Sequence, residues 1–175
     1  MIAVFLHVLH LVAGVYAFLL RRTVIGLAVL SGVSVLCMML VTVSDVLLRS
    51  VPVPVKLVGA YDLVRLFGAA AVACALPYTT AVKGHVAVEF FFHKLPRRGR
   101  IAVDTANRLL GIALFSTLAW QSAGYAHSLR ISGEVSPTLQ LPMHPPIYLV
   151  AFACVVVVLV IVHNLVHPGR EMIKP

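Results

Sequence analysis

Five apolar runs, Met1–Leu20, Val24–Leu48, Ala60–Val82, Leu109–Ala126 and Ile147–Val166, fill most of the chain. The segments between them are short and rich in proline or in Lys and Arg. About 20 mostly apolar residues cross a bilayer as a helix, so the last four runs predict membrane spans at about 24–48, 60–82, 109–126 and 147–166. Strands of an outer-membrane barrel alternate in polarity over about ten residues, whereas Ala151–Val162 is uninterrupted apolar sequence. The pattern predicts an all-α integral membrane protein, a single membrane domain over residues 1–175 with four transmembrane helices, an N-terminal apolar helix and a cytoplasmic surface helix.

Proline denies the backbone a donor and breaks helices. Ser50–Gly59 holds Pro52 and Pro54, and His127–Pro146 holds Pro137, Pro142, Pro145 and Pro146, so both read as loops on one side of the membrane. Lys83–Arg100 and the tail from His167 then fall on the other. That second side carries ten cations (Arg21, Arg22, Lys83, Lys94, Arg97, Arg98, Arg100, Arg108, Arg170, Lys174) against four (Arg49, Lys56, Arg65, Arg130) on the first. Basic loops stay in the cytoplasm, which places Lys83–Arg100 inside and the proline-bearing loops outside. The localisation expected is an inner (cytoplasmic) membrane, crossed several times.

Two segments bear on how the chain sits at the surface. Met1–Leu20 lacks the leading cation and small-residue cleavage site of a secretory signal, and Ala3, His7, His10, Gly14 and Ala17 form one small or polar stripe. It fits either an interfacial helix, which leaves both termini cytoplasmic, or a fifth span; the short turn available around Arg21–Thr23 favours the interface. In Lys83–Arg100, Val86, Val88, Phe90, Phe91, Phe92 and Leu95 alternate with charge and precede Arg97, Arg98 and Arg100. This segment is expected to lie on the membrane, with Lys94, Arg97, Arg98 and Arg100 meeting anionic headgroups.

Composition narrows the function. The chain is 61% hydrophobic and 11% charged, against about 25% charged in soluble domains. Its net charge of +8 follows from the basic loops and does not point to nucleic acid. Cys37, Cys74 and Cys154 lie inside apolar runs without metal-site spacing and read as small buried hydrophobes. No Ser–His–Asp order, HExxH or phosphate loop occurs, so no enzyme, metal or cofactor is expected. The middles of the four later spans carry no charge, and only Pro77 could interrupt a helix, whereas carriers need polar groups or broken helices at mid-membrane. Ser31, Ser34, Thr42, Ser44, Ser116 and Thr117 read as aids to helix packing. Eight histidines raise an alternative, a membrane cytochrome with paired His ligands, but none face each other at mid-span. An autonomous small carrier is the remaining alternative.

Charge collects at the span ends. Asp45 with Arg49, Asp62 with Arg65 and Asp104 with Arg108 stand three or four residues apart, a spacing at which acid and base meet on one helix face. They are expected to anchor ends and to join helices rather than move solute.

Several stretches carry a resemblance: Ser44-Asp45-Val46-Leu47-Leu48-Arg49, Gly59-Ala60-Tyr61-Asp62-Leu63-Val64, Leu76-Pro77-Tyr78-Thr79, Gly84-His85-Val86-Ala87-Val88-Glu89 with Leu95-Pro96-Arg97-Arg98, and Ser132-Gly133-Glu134-Val135-Ser136-Pro137-Thr138-Leu139-Gln140-Leu141-Pro142. In this order the chain, from about Val24 to Val166, resembles the small membrane subunit of tripartite ATP-independent periplasmic (TRAP) transporters, the DctQ-like family. The resemblance implies a four-helix scaffold bound to a larger DctM-like subunit, which holds the sodium and substrate sites and moves as an elevator. A periplasmic substrate-binding protein delivers an organic acid. It departs from the family in having Asp62 where Glu is usual and Met143-His144-Pro145-Pro146 where an aromatic commonly follows Pro142. Asp45, Arg49, Asp62, Arg65 and Glu134 are the residues expected at partner interfaces.

Overall fold

A computed structural model of the chain describes residues 2–50, 57–82 and 97–166, with side chains excluded at 2–13, 97, 98 and 100–102. Among the described residues there are four helices: α1 (Ile2–Ser50), α2 (Ala60–Ala81), α3 (Arg97–Ser132) and α4 (His144–Val166). Helix α2 follows Gly59, whose positive φ of 87° turns the chain into it, and it keeps Pro77 within its length. Helix α4 takes Pro145 and Pro146 into its first turn, where a missing N–H costs no helical bond. Both match the apolar runs read from the sequence.

The other two helices are longer than those runs. Helix α1 continues for 49 residues, about 74 Å at 1.5 Å per residue. It passes through Arg21, Arg22 and Thr23, where a turn was expected. None of the three is a helix breaker; Thr23 Oγ1 donates to the Leu20 carbonyl at 2.8 Å, and Arg22 lies over the Phe18 ring. Leu20 and Val24, on either side, are both buried. The turn expected around Arg21–Thr23 is therefore replaced by continuous helix. Helix α3 likewise extends on both sides of Leu109–Ala126, because no Gly or Pro intervenes between Ala126 and Gly133. There Gly133, at φ 66°, ends it, and the Glu134 N–H donates back to the Leu129 carbonyl at 3.3 Å, a common helix terminator.

The helices pack in the lateral order α1, α2, α4, α3, with α1 also touching α4. The core lies toward one end of this row, where Leu20, Val24 and Leu27 of α1 meet Cys74 and Ala81 of α2 and Val156 and Val160 of α4. Small residues at Ala71, Ala73 and Cys74 let the backbones approach, the usual means of helix association in lipid. At that contact Ser31 Oγ donates to the Ala71 carbonyl at 2.8 Å, whereas Ser34, Thr42 and Thr117 bond within their own helices. Cys74 and Cys154 are buried and Cys37 half-buried, all three as free thiols.

Among the described residues, three helices are long and apolar enough to cross a membrane: Gly14–Ser50, Ala60–Ala81 and His144–Val166. The predicted span at Leu109–Ala126 is not among them, because Ser116, Thr117, Gln121 and Ser122 dilute its apolar run. The predicted surface helix falls largely on residues 83–96, outside the described residues.

Candidate functional site

At the N-terminal end of α2, Asp62 stands in the first turn, where a carboxylate complements the exposed helix N–H groups. It is only 6% exposed. A buried carboxylate is costly unless donors surround it, and three do so from the segment joining α3 to α4. Oδ2 accepts the Ser136 hydroxyl at 2.7 Å and the backbone N–H groups of Thr138 and Leu139 at 3.1 and 3.0 Å.

That segment is built to present these donors. Val135 bridges Pro142, the Ser136 N–H donates to the Leu141 carbonyl at 2.9 Å, and the Met143 N–H donates to the Glu134 carbonyl at 3.2 Å. Ser136 Oγ also accepts the Leu141 N–H at 3.3 Å, so one hydroxyl ties the hairpin to itself and to α2. Gln140 turns the tip at φ 51°. Leu139 then sits over Gly59, so close that a Cβ placed there would lie 2.3 Å from Leu139 Cγ. The N-terminal ends of α2 and α4 and the C-terminal end of α3 are thereby latched together by hydrogen bonds to one carboxylate.

The remaining charged positions divide. Arg49 Nη2 meets Asp45 Oδ2 at 2.8 Å, as the spacing predicted, and Asp45 Oδ1 is buried without a hydrogen-bond partner. Arg108 Nη2 meets Asp104 Oδ2 at 2.9 Å, and Arg108 Nη1 also donates to the Asn164 carbonyl, joining α3 to α4. The Asp62–Arg65 pairing does not occur: the hairpin donors engage Asp62, and Arg65 is exposed. Glu134 lies exposed at the base of the same hairpin. Lys94 falls outside the described residues, while Arg97, Arg98 and Arg100 open α3 at its opposite end. Sequence reasoning missed Gly59, Ser136, Thr138 and Leu139 as a unit. Its signals were the glycine immediately before α2 and the Ser-Pro-Thr turn that frees backbone donors.

Between Arg22 and Asp45, between Arg65 and Ala81, between Arg108 and Arg130, and along all of α4, no Asp, Glu, Lys or Arg occurs. Of the histidines with described side chains, His144 and His163 lie near the ends of α4 and His127 near the end of α3. Among the described residues no group of three His, Cys, Asp or Glu is placed to hold a metal. Among the described residues the site therefore offers helix fastening and a polar end to the helix row.

Comparison with known proteins gives one finding. A family model described as Tripartite ATP-independent periplasmic transporters, DctQ component, matches residues 38–170. Neither the curated proteins nor the solved structures give a significant match.

Proposed function

Because the chain belongs to the DctQ family of tripartite ATP-independent periplasmic transporters, a family of transporter components rather than enzymes, we propose that it is the small permease subunit of such a transporter. In this reading it binds and stabilises a large DctM-like subunit. That partner carries the sodium and substrate sites and performs the elevator motion, and the present chain widens its static frame. A periplasmic binding protein brings an organic acid to the complex, and Glu134 with the hairpin stands on the side where it docks. Asp45, Arg49 and Arg65 contribute to the contact with the large subunit at the outer membrane surface, and Asp62 shapes that contact through the hairpin. Lys94, Arg97, Arg98 and Arg100 fix the depth of the chain against anionic lipid on the cytoplasmic face.

The observation that carries this reading is the uncharged interior of the helices, combined with polar fastening confined to their ends. A moving carrier places polar groups or broken helices at mid-membrane; a static wall needs apolar area and fixed ends. Helix α3 crosses beside α4 in this reading, making the fourth span. The test is reconstitution in liposomes under a sodium gradient, with the organic acid bound by the periplasmic component as substrate. Uptake is expected when both membrane subunits and the binding protein are present, and none with this chain alone. Flux through this chain by itself overturns the scaffold role.

A further inference from the structure

Among the described residues, helix α3 is one edge of the helix row and packs closely only against α4. Arg108, Gly111, Ala126 and Leu129 mark its inward side: Arg108 bonds Asn164, a Cβ on Gly111 would lie 3.2 Å from Ile161 Cδ1, and Ala126 and Leu129 are buried. At 100° per residue, Ala113, Thr117, Trp120 and Gly124 fall on the opposite side, with Gln121 beside them. All five are exposed. Trp120 is 80% exposed, nothing lies within 4 Å of a Cβ placed on Gly124, and the Gln121 amide has no hydrogen-bond partner among the described residues.

Gln121 stands about 20 Å along the axis from Arg108 and about 16 Å from Ser132, hence near the middle of the stretch that runs beside the apolar helix α4. Lipid tails offer neither donor nor acceptor there, and an amide left bare in hydrocarbon is unfavourable. Tryptophan prefers the headgroup level, where its N–H finds a partner. The other edge of the row is different: α1 exposes Val29, Val33, Leu36, Leu40, Val43 and Leu47, a stripe that lipid solvates fully.

We infer that the outward face of α3 formed by Ala113, Thr117, Trp120, Gln121 and Gly124 is the surface on which a transmembrane helix of the large subunit packs. That helix comes close at Gly124 and supplies a hydrogen-bonding side chain to the Gln121 amide. The inference rests on the scaffold reading above and adds which edge of the row is covered. Small residues set the close approach and a single polar pair fixes the register, the two means by which helices associate where no hydrophobic drive exists.

The test uses the full chain co-expressed with the large subunit. A photoreactive phenylalanine analogue is placed at Trp120 or, on the other edge, at Leu40, and the membranes are irradiated before solubilisation. An adduct between this chain and the large subunit is expected from position 120 and none from position 40. Gln121→Leu and Gly124→Leu should each lower recovery of the large subunit at least tenfold in mild detergent, while Leu40→Phe leaves it unchanged. Both leucine substitutions fall at exposed positions, and an unaltered elution profile of the variant chain confirms that it folds. An adduct from position 40 alone means that the complex exists but uses the α1 edge, which overturns this inference and leaves the scaffold reading standing. An adduct of twice the mass of this chain from position 120 assigns the face to a second copy and overturns the inference. No adduct from either position, with the chain purifying alone, overturns the scaffold reading itself.

Discussion

The two edge helices of the row are both long and both mostly unburied by their neighbours, yet they present opposite chemistry outward. Helix α1 shows aliphatic side chains from Val29 to Leu47, with Thr42 bonded into its own backbone and Ser31 onto α2, and with Gly32 and Ser44 exposed beside that stripe. Helix α3 shows Trp120, Gln121 and a bare Gly124 at the corresponding depth. Exposure alone therefore says little about a helix in a bilayer; the chemistry of the exposed side says which medium it meets. Between Val29 and Leu47 one edge offers an aliphatic stripe that lipid solvates, whereas the other exposes an amide that lipid tails cannot satisfy.

That contrast depends on α3 being held beside α4, which the hairpin and its bond to Asp62 accomplish. The largest effect is expected from Asp62→Ala, which strands the Ser136 hydroxyl and two backbone donors. A loss of about 3 kcal/mol is expected, read as a lower temperature for loss of monodispersity in detergent. Asp62→Asn, which keeps an acceptor oxygen, should recover about half of that. Gly59→Ala comes next, at about 2 kcal/mol, since it forces a side chain into a left-handed backbone and against Leu139. In the same thermal assay Leu139→Ala should relieve part of the cost of Gly59→Ala, a non-additivity that two independent sites would not show. Arg108→Ala should cost about 1 kcal/mol, because its partner Asp104 is half exposed and such pairs are weak, although the bond to the Asn164 carbonyl is lost as well. Ser31→Ala, on the α1 side, should cost about 0.6 kcal/mol, in the range of single interhelical hydrogen bonds in membranes. Were Ser31→Ala more damaging than Asp62→Ala, the hairpin latch would not be what organises the α3 edge.

Much of this architecture is legible in the sequence where apolar runs are bounded by breakers. Helices α2 and α4 begin where Gly59 and the Pro142–Pro146 segment dictate, and they end close to where their apolar runs end. Helices α1 and α3 ran past their expected limits because charge at Arg21–Arg22 and polarity at His127–Arg130 were read as boundaries, though neither breaks a helix. The pairs Asp45–Arg49 and Asp104–Arg108 followed from spacing, since each joins neighbours one helical turn apart and, among the described residues, no donor from a distant segment takes the carboxylate. Asp62 did not, because donors 74 to 77 residues away outcompete Arg65 once the hairpin closes over the helix end. A spacing rule sees only neighbours in the chain, and a buried carboxylate takes whichever donors enclose it.

The central claim is that this chain braces a larger transport subunit. Native mass spectrometry of the tagged full chain, extracted in mild detergent from cells that also express the large subunit, tests it most directly. The account predicts a stable complex of one copy of each. A chain that appears alone or only with copies of itself, while the large subunit is present and folded in the same membranes, would contradict it.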